Sequence, residues 1–393
     1  RAEGCPDCMT AFMAVCAERI PMPAVFLLKD RIKRFPAFFS EDAVMFQSFA
    51  FMSRRDFIAA AAMAAAGIVC SSPRGVFAAE PEKRSVTIAV GGKNLYYYLP
   101  MALADWMGFY KDEGLDVKVV DFQGGSKSLQ AVVGGSADVV SGAFEHTLSM
   151  QTKRQSMQAF VLQDRAPQCV FAINRRTMKG VKDPAALKGR RIGVTAPGSH
   201  SHVMANFVMA RAGVKPNEYS AIGIGSGAGA VAAVRSGQVD AFVGLDPVVT
   251  QLEEADAIDI VVDTRRVEEG DALYNGPMVA GCLYAPQTFI DRNPETVQRM
   301  TNAVIRSLKT IAAITPEELM KSVPKAAFLG NPKLYAECFL RNRPAMSIDG
   351  RFPEGCVETA AKALASVKPE LADFKFDAAA AYTNRFADAA KKA

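Results

Sequence analysis

No long run of lysine and arginine marks this 393-residue chain, and its formal net charge of +5 is mild for the length. The electrostatic footprint of a nucleic-acid binder is therefore missing. The 13-residue apolar run from Phe57 to Val69 is too short to span a bilayer as a helix. No G-x-S-x-G sequence occurs, so a nucleophilic triad does not assemble. The glycines at 223, 225, 227 and 229 lack G-x-G-x-x-G spacing, and no acidic residue ends a suitable next strand, which argues against a dinucleotide site. Cys5 and Cys8 resemble half a metal knuckle, but only Cys16 follows nearby and no histidine lies within a hundred residues. Cys169, Cys282, Cys338 and Cys356 are too irregularly spaced for a disulfide framework. Cys338 and Cys356 are the first pair to check for a bridge. Cys169, inside an apolar run, reads as core packing.

What is present is a segment written twice. Val119–Gly142 and Ala221–Gly244 align without a gap at an offset of 102 residues. Identical pairs include Gly125/Gly227, Gly135/Gly237, Asp138/Asp240 and Gly142/Gly244. Each copy reads as strand, Gly-rich turn, helix and a second strand. Two such units imply two similar lobes, and a cleft between them is where small molecules bind.

The region before residue 80 reads differently. Arg54 and Arg55 precede Phe57, the Ala-rich run follows, and an A-x-A-like site surrounds Ala78. This is the plan of an export signal over 52–79, and adjacent arginines point to the twin-arginine route. Lipidation at Cys70 is the alternative, with the bulky Val69 standing against it. Residues 1–51 read as an upstream extension outside the fold, not native to the mature protein.

Downstream, Ser85–Val90, Leu115–Phe122 and Ala137–Ser141 read as strands alternating with helices at 99–110 and 126–133. The order recurs from Arg191: helix 201–212, strand 221–224, helix 228–236, strand 241–243. Such alternation calls for α/β lobes with a mainly parallel sheet flanked by helices. Residues 85–177 are assigned to lobe 1 and 178–275 to lobe 2. Residues 276–393 supply a return strand near 278–284 and C-terminal helices packing mostly on lobe 1. A strong helix spans 294–314, with Asn293 as cap and Pro294 at its first position. The Ala-rich tail 377–392 reads as helical. No low-complexity linker separates the repeats.

Ligands of parallel α/β lobes gather beyond the carboxyl ends of the strands. The candidate loops carry Asn94; Gly124, Gly125 and Ser126; Thr195 and Ser199; Ser226 and Gly227. Glycine permits close backbone approach, and N–H groups at helix starts favour an anion. The chain's three histidines, His146, His200 and His202, all fall at strand-to-helix junctions. Glu145 and Asp246 follow the last strand of each repeat and belong at the cleft as acceptors or inter-lobe contacts, although helix capping would also explain Asp246. A metal site from His200, His202 and Glu145 is the lesser reading. Tyr96, Tyr97 and Tyr98 cannot all face the core, so Tyr96 and Tyr97 are assigned to stack on the ligand, with Tyr274 as a second aromatic candidate. Asp138 and Asp240 read as structural, holding the preceding glycine turn.

These motifs resemble a known family. Gly135-Ser-Ala-Asp138-Val-Val and Gly237-Gln-Val-Asp240-Ala-Phe look like a recurrent signature of periplasmic solute-binding proteins. Leu99–Val117 is similar to the opening of the nitrate/sulfonate/taurine group, and Phe289–Arg299 to the start of that group's helical C-terminal part. The resemblance covers about 85–385. It implies a two-lobed periplasmic-binding-protein fold with the ligand cleft between the lobes. It further implies an exported, monomeric, non-enzymatic component of an ABC importer, with no cofactor. Such a protein would capture a small anionic or zwitterionic organic molecule (a sulfonate, a carboxylate, or an aromatic or pyrimidine-like one) and deliver it to a membrane permease and its ATPase. The same fold serves fungal-type thiamine-pyrimidine synthases and a sulfinate-cleaving hydrolase. The chain lacks the Cys-rich motif of the former, and the surroundings of Cys169 do not match the latter.

Overall fold

Ten strands pair into two separate sheets in a computed structural model that describes residues 80–328 and 330–390. The expected export signal and upstream segment lie outside the described residues. In chain order the strands are β1 (Ser85–Val90), β2 (Asp116–Asp121), β3 (Val139–Ala143), β4 (Met157–Leu162), β5 (Val170–Asn174), β6 (Arg191–Val194), β7 (Ser220–Gly223), β8 (Ala241–Gly244), β9 (Ile258–Asp263) and β10 (Gly281–Pro286). The first sheet runs β2-β1-β3-β10-β4 and the second β7-β6-β8-β5-β9. The orders correspond strand for strand, and the duplicated segment supplies the β2–helix–β3 and β7–helix–β8 units.

As expected, each sheet is mainly parallel: four of its five strands run the same way and one interior strand runs against them, which makes two parallel and two antiparallel pairings. The antiparallel partners are the interior strands β10 and β5. Both are inserted between the repeat's last strand and the sheet's far edge. Both carry a register irregularity, at Leu283/Tyr284 and at Phe171/Ala172. The boundary expected at 177 is corrected by this pairing. β5 already belongs to the second sheet, so the chain crosses between sheets in the segment 163–169. A fully buried apolar strand such as β5 carries no alternation that would show which sheet it joins.

The repeated aspartates have a job different from the one expected. Asp138 donates its backbone N–H to the Thr87 carbonyl and accepts the Thr87 N–H on its carboxylate at 2.9 Å. Asp240 makes the same pair of bonds with Arg191, the N–H to carboxylate distance being 3.0 Å. Each aspartate therefore fastens the end of a glycine turn to the neighbouring parallel strand, not to the turn itself.

Helices cover both sheets. The helix Pro294–Ala313 buries Val297, Met300, Val304, Leu308 and Ile311, a helical spacing, and packs on Leu99–Trp106. Asn293 does not cap it. The Glu82 carboxylate accepts the N–H groups of Glu295 and Thr296 at 3.1 and 3.0 Å instead. The helix expected over 99–110 breaks at Gly108, which has φ 77°. The tail is two short helices, Ala378–Ala381 and Arg385–Ala389, because Tyr382 and Thr383 between them pair with Ala159 on the edge strand β4. β4 itself and the helix Val267–Tyr274 are elements that sequence reasoning missed. The four cysteines in the described region are buried and free, so Cys338 and Cys356 are not bridged. No helix among the described residues is long and apolar enough to cross a membrane.

Candidate functional site

The carboxyl ends of the two sets of parallel strands face each other and their loops touch. Ser226 donates to the Gly91 carbonyl at 3.2 Å, and the Ser126 N–H donates to Ser199 Oγ at 3.1 Å. Ser126 Oγ donates to the Pro197 carbonyl at 2.9 Å, and the Tyr96 N–H to the Asp246 carbonyl at 3.2 Å. Between them lies a narrow recess lined by Gly91, Leu95, Tyr97, Tyr98, Gly125, Ala143, Thr195, Ser199, His200, Ser201 and Leu245. Five of the residues singled out from the sequence thus converge: Tyr97, Gly125, Thr195, Ser199 and His200.

Behind this lining stands a buried polar cluster. His200 Nδ1 and Glu145 Oε1 are 2.6 Å apart across the two sheets' helices. Burial pushes the Glu145 carboxyl up, but the charge and hydrogen bond of His200, with His146 beside it, outweigh burial and hold it below the ordinary value. Burial likewise disfavours a charged His200, yet Glu145 and the adjacent Cys169 raise it well above the ordinary histidine value. The pair therefore stands as imidazolium and carboxylate. His146 is different: burial keeps it neutral by lowering its pKa, and its Nδ1 lies 2.8 Å from the Tyr284 hydroxyl. Its ring rests against Gly125, 3.5 Å from where a Cβ would stand.

Asp164, just after β4, was not anticipated. Its Oδ1 accepts from Gln168 Nε2 at 2.6 Å, and burial raises its carboxyl well above the usual range. Its carboxylate and the Tyr97 ring both crowd the face of Gly281, the first residue of β10. The only sequence signal was two polar residues, Gln163 and Asp164, ending a wholly buried strand. Several polar atoms here are buried without a hydrogen-bond partner: the Tyr97 and Tyr274 hydroxyls, Glu145 Oε2, Asp164 Oδ2, His146 Nε2 and His200 Nε2.

Other candidates are placed elsewhere. Asn94 and Tyr96 line a separate hollow with Trp106 and Tyr335, where the Tyr96 hydroxyl donates to the Tyr335 carbonyl. All three consecutive tyrosines are buried, with exposures of 2–4 %, contrary to expectation. Closure makes this possible: Tyr96 is covered by the helix Pro332–Asn342, Tyr97 fills the recess, and the Tyr98 hydroxyl accepts the Gly91 N–H. Asp246 caps Thr250 and holds Arg265 and Asn342 at 3.3 and 2.7 Å, which is a structural role. His202 Nδ1 accepts the Gly198 N–H, so it does not converge with His200 on one ligand position. Tyr274 stacks on Phe207 with ring centroids 4.4 Å apart. Gly124 packs against Ala196, and Gly227 faces open space at the start of the helix Ala228–Ser236.

Comparison with known proteins gives a family match, described as NMT1/THI5 like, over residues 96–318. A solved protein from Bordetella bronchiseptica RB50 is 51 % identical, with a TM-score of 0.77 over 79 % of this chain and 98 % of that one. The alkanesulfonate-binding protein SsuA from Xanthomonas axonopodis pv. citri, bound to MOPS, shares the fold at 16 % identity, with a TM-score of 0.61 over 77 % of this chain and 98 % of that one. A 4-amino-5-hydroxymethyl-2-methylpyrimidine phosphate synthase from Aspergillus parasiticus is 24 % identical over 60 % of this chain and 69 % of its own length.

Proposed function

The chain belongs to the NMT1/THI5-like family, and from that premise we propose that it is the exported solute-binding component of an ABC importer. It captures a small polar organic molecule between two hinged lobes and hands it to a membrane permease. The observation that carries this reading is the recess at the meeting loops, where two lining residues, Tyr97 and His200, carry a buried hydroxyl and a buried ring nitrogen without a hydrogen-bond partner. Binding of a solute would satisfy them, and closure would exclude water from it. The periplasmic-binding-protein fold, shared with a sulfonate binder, supports the same conclusion. So does the twin-arginine sequence before residue 80, which supports a periplasmic location.

A second reading is enzymatic, favoured by the synthase names of curated relatives. One experiment separates the two. The protein is incubated with candidate solutes, its melting temperature is followed, and the solute is recovered and analysed. A binding protein melts higher and returns the solute unchanged. Conversion of the solute, with loss of conversion in His146→Ala, would replace this proposal by the enzymatic one.

A further inference from the structure

We propose, resting on the solute-binding reading above, that Tyr97 and His200 are the two hydrogen-bond donors to the ligand, one from each lobe, and that they select a solute presenting a carboxylate. Glu145 acts as the positioning residue that makes His200 a donor. Tyr97 stands just before the helix Leu99–Trp106 of the first lobe, and His200 opens the helix His200–Arg211 of the second. Both line the recess, with ring centroids 6.3 Å apart. The Tyr97 hydroxyl and His200 Nε2 are buried without a hydrogen-bond partner. The other polar side chains of the lining are engaged. Thr195 and Ser201 bond each other at 2.9 Å, Ser199 accepts the Ser126 N–H, and the Tyr98 hydroxyl accepts the Gly91 N–H. Loop N–H groups that promised an anion cradle are engaged too: those of Lys93 and Gln123 donate to Asp121, that of Thr195 to Ser201 and that of Gly198 to His202.

His200 Nδ1 lies 2.6 Å from Glu145 Oε1, so the ring carries a proton there. As an imidazolium it carries a second proton on Nε2 and can only donate. His200 lines the recess and Glu145 does not, so the pair turns its positive end toward the ligand. Glu145 opens the helix Glu145–Gln151 of the first lobe, so meeting of the lobes is what gives His200 its carboxylate partner. The other titratable groups around His200 add no competing charge. Burial keeps His146 neutral, and it also lowers His202, on His200's own helix. Burial raises the Asp164 carboxyl well above the usual range, so it is protonated; it packs with the Tyr97 ring on the face of Gly281. Burial raises Tyr97 and Tyr274 as well, so both keep their hydroxyl protons. Cys169, beside His200, offers a sulfur, which is only a weak acceptor for an N–H.

Calorimetric titration of the full chain with probes matched in size tests this. Acetate is compared with methylammonium, and benzoate with benzylammonium. The carboxylate of a pair is expected to bind at least about tenfold more tightly than the ammonium, which can only donate. Tyr97→Phe is expected to melt at or above the wild-type temperature, since its hydroxyl has no partner to lose, while weakening benzoate about tenfold. Wild-type affinity for benzoate is expected to fall as pH rises through the raised value of His200, where Nε2 loses its proton. In Glu145→Gln that fall moves to lower pH, because burial then disfavours the charged ring without a carboxylate to oppose it. A merely structural role for Glu145 would leave the position of the fall unchanged. Tighter binding of the ammonium probes would overturn the ligand class and leave the solute-binding reading standing. Unchanged benzoate affinity in Tyr97→Phe, or an unmoved pH profile in Glu145→Gln, would overturn the assigned residues. Binding of none of the four probes would overturn the carboxylate class, and the melting-temperature experiment above decides the solute-binding reading separately.

Discussion

Asp138 and Asp240 occupy equivalent places in the duplicated segment and make equivalent bonds, each to the backbone of the neighbouring parallel strand. Asp240 also holds the Arg191 guanidinium at 3.0 Å. Asp240→Ala is expected to lower stability by about 1.5 kcal/mol, read by urea denaturation, with ligand affinity unchanged. A drop in affinity without a drop in stability would refute the structural role. The Glu145–His200 pair gives a second residue-scale prediction. A raised histidine pKa contributes stability that is full below pH 6.5 and declines as pH rises through the raised value. A lowered carboxyl pKa contributes stability that is full above pH 4.5 and is lost as pH falls through the lowered value. The margin of wild type over a Glu145→Gln/His200→Gln double variant should therefore be greatest between these limits and shrink on both sides. Thermal melts across pH check this; a margin flat through the alkaline side would show that His200 is not charged in the fold. The histidines and Glu145 were legible in the sequence because junctions after strands are where side chains meet a cleft. Asp164 was not, because nothing local shows that the turn leaving β4 folds back over Gly281.

At the scale of elements, β10 and β5 decide the geometry. Each is an apolar, buried strand inserted antiparallel beside the last strand of a repeat. Gly281 opens β10, and a Cβ there would overlap the Asp164 carboxylate and come within 3.4 Å of the Tyr97 ring. Gly281→Ala is expected to destabilise the protein by about 1–3 kcal/mol through overpacking and to weaken ligand binding at the same time. Equal affinity in a folded Gly281→Ala protein would mean that Asp164 and Tyr97 do not act at the site. The repeat's strands and helices were readable from their alternation, and the helix Pro294–Ala313 from its periodicity and proline. The tail helix failed for a tertiary reason. The open edge of β4 offers Tyr382 and Thr383 backbone partners at Ala159, and that pairing overrides the helix preference of an Ala-rich run.

For the whole molecule, the loops of the two sheets meet in a closed arrangement, and two chain crossings, before β5 and before β10, connect the sheets. Ser126 Oγ and Ser199 Oγ lie 3.4 Å apart across that closure. A Ser126→Cys/Ser199→Cys double variant is expected to form a disulfide on oxidation, to stop taking up ligand, and to recover on reduction. Uptake by the oxidised, verified cross-linked protein would show that opening of this face is not needed. The sequence alone determined the two-lobed α/β plan, because a gapless repeat with preserved glycines and aspartates dictates two copies of one strand–helix–strand unit. It also placed His200, Glu145, Tyr97 and the glycine loops near a cleft, since local order fixes which ends of the strands they follow. Only the tertiary structure decided that β5 enters the second sheet, that Asp246 and Tyr96 serve packing rather than the recess, and that the Asp164 carboxyl is buried against Gly281. Those outcomes depend on contacts between residues far apart in the chain, and burial in such contacts changes the chemistry of a carboxyl group without leaving a mark on its neighbours in sequence.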